Sequence, residues 1–176
     1  MTHPRVAVVP YDADWPRRFA AERRLLERVL APWLDGSVHH VGSTAIPGIA
    51  AKPVIDMVAG VRDLAEARAA FPALERHGYV VDPHRPGIAH HFAKPSPQLP
   101  ECRFGLHLTE PGSDLWRERL AFRDVLRGDP ALAREYEQLK LRLARDHGDD
   151  LRAYTDGKRD FVARVLASVG EAPGGR

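Results

Sequence analysis

The residues with the most chemistry in them lie between Val41 and Val61. A short strand-like run ends in Gly42-Ser43, and a loop containing Pro47, Gly48 and Pro53 follows. After it comes the near-apolar run Val54 to Val61, which carries one carboxylate, Asp56. A Gly-Ser pair at a strand end lets the backbone come close to an anion, and its N–H groups and hydroxyl can donate to that anion. Gly42, Ser43 and the adjoining Thr44 are therefore candidates to cradle a phosphate. A lone charge on a strand buried on both faces costs more than folding can spare. Asp56 needs a partner, and three kinds would serve. One is a divalent cation such as Mg²⁺ bridging it to substrate phosphates. Another is a nearby Lys or Arg. The third is a set of hydrogen bonds from the Gly42 loop, which would make Asp56 purely structural.

Other residues add to this set. Lys52 ends the loop, where it can neutralise a phosphate or sit in water. Lys158 stands four residues after Tyr154 and three before Phe161, and Lys140 stands likewise to Tyr136 and Leu143. Such spacings share a helix face, so each lysine either snorkels outward or reaches an anion. Tyr136 can stack on a base, although core packing is its commoner role. Arg123 adjoins Asp124, which reads first as a surface ion pair. The histidines match no structural zinc spacing. His90 and His91 point to opposite faces of a strand. His107 is the best single candidate among them, as a ligand or hydrogen-bond donor beside Asp56.

These groups need elements to position them. Asp14, Trp15 and Pro16 start an amphipathic helix that the spacing carries to about Leu34. Strands are expected at 37–41, 54–61, 79–82, 90–94 and 103–109. In the last of these Phe104, Leu106 and Leu108 share one face, and Arg103, Gly105 and His107 the other. A helix is expected from Asp63 to His77, ending at Gly78. Three more should run from Ser113, from Asp129-Pro130, and from Asp150 to about Val169. Residues 83–87 and 95–100 read as turns. The pattern is a helix, a mixed sheet and then helices, an α+β domain.

Composition narrows the class. The 176 residues are 44% hydrophobic and 28% charged, enough to build one core. Net charge is +2, and the 26 basic residues alternate with acids along helices rather than forming a nucleic-acid stripe. The single cysteine, Cys102, excludes an intramolecular disulfide. No apolar run reaches a membrane span, and the start of the chain does not read as a signal peptide. The expected location is the cytoplasm.

The run His40 to Gly48, followed by Lys52-Pro53-Val54-Ile55-Asp56, resembles the signature of the GrpB family. The opening Tyr11 to Pro16, the stretches Phe122 to Asp124 and Tyr136 to Lys140, and Tyr154 to Phe161 are similar to its pattern as well. The resemblance spans roughly Val8 to Val169. It implies a nucleotidyltransferase-like fold as a single domain over residues 1–170, with a flexible tail at 171–176. In some actinobacterial proteins a similar domain is fused to dephospho-CoA kinase. Active nucleotidyltransferases carry a second carboxylate two residues after the first and a third on a later strand. Here those positions hold Val58 and, nearest to the third, His107. That argues against ordinary two-metal transfer.

The expectation is a domain that binds a nucleotide or another phosphorylated small molecule. Gly42, Ser43, Thr44, Lys52, Arg123, Tyr136, Lys140 and Lys158 would serve the substrate. Asp56 and His107 would be catalytic, with Mg²⁺ on Asp56, in nucleotidyl transfer to an acceptor the sequence does not name. The alternative is a non-catalytic accessory or binding module linked to coenzyme A metabolism.

Overall fold

The computed structural model describes residues 6–82, 87–95 and 103–170. The expected turn around residues 83–86, most of the loop at 95–100, Cys102 and the tail at 171–176 lie outside the described residues.

Helix α1 spans Trp15–Val29, five residues short of the extent its apolar spacing suggests. Pro32 explains the early stop, since it has no N–H to give and restricts the residue before it. The amides of Trp33 and Leu34 both turn back to the Leu30 carbonyl, at 2.8 and 2.9 Å. Strand β1 (Leu34–Val41) then begins at once. A short 3₁₀ turn, Ser43–Ala45, leads into the loop and strand β2 (Val54–Val61). The stretch expected as one helix after Asp63 is a 3₁₀ turn, Glu66–Ala70, followed by the short helix α2 (Phe71–Arg76). Pro72 lies in the first turn of α2, where its missing N–H costs nothing.

Strands β3 (Val80–Val81), β4 (His90–Pro95) and β5 (Arg103–Thr109) complete a five-stranded sheet in the order β1-β2-β5-β4-β3. Only β2 and β5 run parallel, with Asp56 level with Gly105 and Val58 level with His107. The other pairs are antiparallel. One face of the sheet, through Ile55, Met57, Leu106, Leu108 and Phe92, packs on α1 and α2 to form the main core.

Three capped helix starts follow where the sequence puts them. Ser113 accepts from the Trp116 amide at the start of α3 (Asp114–Gly128). Asp129 accepts from the amides of Ala131 and Leu132 at the start of α4 (Pro130–His147). Asp150 does the same for Arg152 and Ala153 at the start of α5 (Leu151–Asp156). The helix expected to continue to Val169 breaks at Gly157-Lys158, and α6 (Arg159–Ser168) restarts beyond it. At Gly157 a Cβ would meet the terminal methyls of Leu143, so this turn packs closely against α4.

These helices cover the second face of the sheet. Leu115, Trp116 and Leu120 of α3 pack on Val41 and Val58. A third cluster, Leu126, Ala133, Tyr136, Phe161 and Val165, closes over Ile46 and Ile49 of the loop. The loop between β1 and β2 is thus clamped between sheet and helices, and the cleft forms at its edge.

Candidate functional site

The site begins at the end of β1. Gly42 has φ +72°, a conformation that side-chain-bearing residues rarely adopt. A Cβ there would lie 2.7 Å from Oδ2 of Asp56. Across the carboxylate, a Cβ on Gly105 would lie 2.6 Å from Oδ1. Each oxygen of Asp56 is therefore overlaid by a glycine backbone, one from the bend and one from β5. The acid and the Gly-Ser bend stand in direct contact, because the antiparallel register of β1 and β2 sets Val41, the residue before the bend, opposite Asp56.

Beside this contact opens a cleft of about 200 Å³ lined by Ser43, Lys52, Val54, Asp56, Tyr154, Thr155 and Lys158, with Leu151 at its edge. Sheet and loop supply one wall, and α5 with the turn at Gly157-Lys158 supplies the other. The break in the expected long helix matters here. It places Lys158 at the start of α6, where it overlies the Tyr154 ring with Nζ 4.5 Å from the centroid.

The electrostatics are lopsided. Burial pushes the Asp56 carboxyl above the usual carboxylate range, while Arg119, His91, Lys158 and Lys52 pull it back down. Lys158 is pushed down to about 8, by burial first, with Asp56 opposing and Arg119 and Lys52 adding to the depression. Burial and the neighbouring Arg103 lower Lys52 as well, against the pull of Asp56. Lysines held below their ordinary range beside a single carboxylate make a place where more negative charge is favoured.

Several expected substrate residues hold the loop rather than line the cleft. Thr44 is buried, and its hydroxyl donates to the Val54 carbonyl at 2.9 Å. With that proton committed, its oxygen accepts from Nε2 of His40, also at 2.9 Å. Tyr136 shares a side-chain hydrogen bond with Ser43 and stacks on Phe161, with ring centroids 5.0 Å apart. Lys140 is 1% exposed. It donates to the Ala50 carbonyl at 2.5 Å and is pushed down to about 7 by burial, with Lys158 adding to the effect. Glu137, one turn earlier on α4, accepts from the Ala50 amide. Arg123 donates to Asp124 at 2.7 Å and to the His40 carbonyl at 3.1 Å. One helix, α4, thus grips both ends of the loop that carries Ser43.

His107 stands level with Val58, two residues along from Asp56, and its ring stacks on His91 with centroids 4.3 Å apart. His91 comes nearer the acid, with Nε2 3.7 Å from the point where a Gly105 Cβ would sit. Its Nδ1 donates to the Asp82 carbonyl at 3.1 Å, and the Asp82 carboxylate lies 3.3 Å away. His90 turns to the opposite face and donates to the Leu64 carbonyl. Neither Arg119 nor His91 stood out in the sequence beside Asp56. The only trace of Arg119 was its position four residues after Leu115 and three before Phe122, on the face of α3 that packs toward Val58 and Tyr136.

Mg²⁺ wants oxygen ligands in near-octahedral array. Among the described residues no three His, Cys, Asp or Glu side chains converge closely enough to hold a metal ion. The position two residues beyond Asp56 is Val58, fully buried against α3. The groups that act on Asp56 are two lysines, an arginine and an imidazole, all able to donate hydrogen bonds. That donor set fits an anion better than Mg²⁺.

The family model described as "GrpB protein" matches residues 5–168. A UPF0157 protein of Deinococcus radiodurans is 39% identical over 165 residues, covering 94% of this chain and 82% of that one. The crystal structure of the conserved protein GrpB from Enterococcus faecalis superposes with a TM-score of 0.82 at 28% identity, over 92% of this chain and 96% of that one. The non-canonical poly(A) polymerase complex GLD-2–GLD-3 matches with a TM-score of 0.53 at 10% identity, over 75% of this chain and 45% of that one. That likeness concerns the fold alone, and the fold is nucleotidyltransferase-like. A dephospho-CoA kinase of Mycolicibacterium paratuberculosis is 35% identical over 120 residues, 65% of this chain and 27% of that protein. No helix among the described residues is long and apolar enough to cross a membrane.

Proposed function

The chain belongs to the GrpB family, and we propose that its cleft binds the phosphate of a nucleotide or another phosphorylated small molecule. One observation carries the reading. A single half-buried carboxylate, seated against a Gly-Ser bend, is faced by Lys52, Lys158, Arg119 and His91. Among the described residues the charges acting on this carboxylate come from Lys52, Lys158 and Arg119, so in this reading an arriving anion finds more positive than negative charge. Ser43 and the bend at Gly42 supply neutral donors for it. Thr44, Tyr136, Lys140 and Arg123 serve by holding the loop in shape. The location in this reading is the cytoplasm, where phosphorylated metabolites and nucleotides abound.

The nucleotidyltransferase-like fold raises the further question of transfer. In that reading Asp56 would hold Mg²⁺, with His107 assisting, and the acceptor is unnamed. A second reading, a binding or accessory module without turnover, draws on Val58. A chain that buries valine where a second acid would hold a cation lacks the usual means to stabilise a leaving pyrophosphate. The match to part of a dephospho-CoA kinase supports a link to coenzyme A metabolism for such a module.

Calorimetric titration with ATP, CTP, GTP and UTP, with and without Mg²⁺, tests the binding reading. Saturable heat that disappears in Lys158→Met is the expected outcome. No heat with any nucleotide or with inorganic phosphate refutes it. Incubation with α-labelled nucleotide then separates the two readings, since released pyrophosphate or a labelled acceptor requires transfer.

A further inference from the structure

We infer that the cleft takes its phosphate directly on protein cations, Lys52, Lys158 and Arg119, with no metal ion bridging it to Asp56. The inference rests on the binding reading above and adds the manner of recognition.

Geometry comes first. Both oxygens of Asp56 are capped by backbone, Oδ2 at Gly42 and Oδ1 at Gly105. A metal bridging Asp56 to a substrate phosphate would have to enter between those glycines and the lysines. Among the described residues it would find no cluster of acids or histidines to complete its ligands, and the next residue on the same face of β2 is the sealed Val58. The space the cleft does offer lies between Ser43 and Lys52 on one wall and Thr155 and Lys158 on the other. Arg119 lies on the turn of α3 between Leu115, which packs on Val58, and Phe122, which meets the Tyr136 ring at 5.2 Å, and its charge acts on Asp56.

Charge follows the same arrangement. Lys158 lies below its ordinary range through burial and the charges of Arg119 and Lys52, and Lys52 through burial and Arg103, so an arriving dianion stabilises the protonated form of each. Asp56 is then the internal counter-charge that keeps the cations gathered when no ligand is present.

Size defines the ligand class. The cleft, at about 200 Å³, is smaller than the roughly 300–1,000 Å³ of pockets that enclose a whole small molecule. It suits a terminal phosphoryl group, with the rest of the ligand lying outside along α5.

The experiment compares calorimetric titrations of the full chain with ATP and with inorganic pyrophosphate, near pH 6.5, in EDTA and in Mg²⁺. The inference expects affinity in EDTA within about threefold of that in Mg²⁺. It also expects Lys158→Met to weaken binding about tenfold or more. The sharpest arm is Asp56→Asn, which keeps the shape between the two glycines and removes the charge. On protein cations, binding survives or tightens in that variant. On a metal held by Asp56, it is lost. Binding that appears only with Mg²⁺, or that vanishes in Asp56→Asn, overturns the inference while leaving the phosphate site standing. No binding under either condition removes both. Far-ultraviolet circular dichroism and a thermal melt on each variant separate loss of fold from loss of site.

Discussion

The two faces of the sheet each bury a carboxylate, and they treat it in opposite ways. On the α1 face, Glu22 accepts from the Tyr79 hydroxyl at 2.8 Å and from Lys94 Nζ at 2.7 Å. Lys94 also lies over the Tyr79 and Phe104 rings. One acid, one ammonium and one phenol satisfy one another, and nothing is left over. On the α3 face, among the described residues, the side chains that act on the Asp56 carboxylate are Arg119, His91, Lys158 and Lys52. The first arrangement is complete in the folded chain. In the proposed reading the second is completed by an anion. If the proposed reading holds, the partners of a carboxylate on either side of one sheet separate a group that stabilises the fold from a group that serves a ligand.

This contrast can be broken by substitution. The largest effect is expected from Glu22→Ala, which leaves Lys94 and the Tyr79 hydroxyl buried without their acceptor. It should cost about 4 kcal/mol of stability, measured by urea denaturation, and should leave phosphate affinity unchanged. Unaltered stability would mean that the triad is not the structural pair described above.

The next effect sharpens the boundary between loop and site. His40 is buried against Phe19 and held down to about 4, by burial first and then by Arg127 and Arg123. Because its folded value lies below the ordinary 6.5, the unfolded chain binds its proton more readily. Its contribution is therefore fully present above pH 6.5 and is lost as pH falls toward 4, about 3 kcal/mol in all. Urea midpoints across that window should fall in the parent and fall less in His40→Gln. Equal slopes in the two proteins would count against it.

A smaller cost, about 2 kcal/mol, is expected for Gly42→Ala. There the left-handed backbone and the approach to Asp56 Oδ2 both resist a Cβ. This variant should lose stability and phosphate affinity together, because it displaces the contact on which the site is built. Least costly to the fold is Lys158→Met. It should change stability by less than about 1 kcal/mol, since it removes a cation that burial already disfavours. Its effect falls on binding. In the parent, affinity for phosphate should decline as pH rises above 8, where the unliganded Lys158 gives up its proton.

Much of the local structure was legible in the residues. The caps at Ser113, Asp129 and Asp150 start helices where their side-chain oxygens meet free amides. The strands Val54–Val61 and Arg103–Thr109 follow from apolar runs and alternation. Two helices ended or broke earlier than their apolar spacing suggested. Pro32 withdraws an amide, and the Gly157 turn is held by a contact with Leu143 on another helix, which no local pattern announces. The Gly-Ser bend and Asp56 were both legible as candidates, but their contact is set by the antiparallel register that puts Val41 opposite Asp56. The roles of Tyr136, Lys140 and Arg123 were not. Spacing says which residues share a helix face, but whether that face meets a cleft or a loop backbone depends on how the helix is laid across the sheet.

By itself the sequence determined the identities of the strands, the helix starts, the bend and the single acid, since each depends on neighbours within a few residues. Only the tertiary structure decided what surrounds that acid. Arg119 arrives from α3, His91 from β4 and Lys158 from the break before α6. Their convergence is set by sheet register and helix crossing, which join residues up to about a hundred positions apart and leave no periodic trace in the chain.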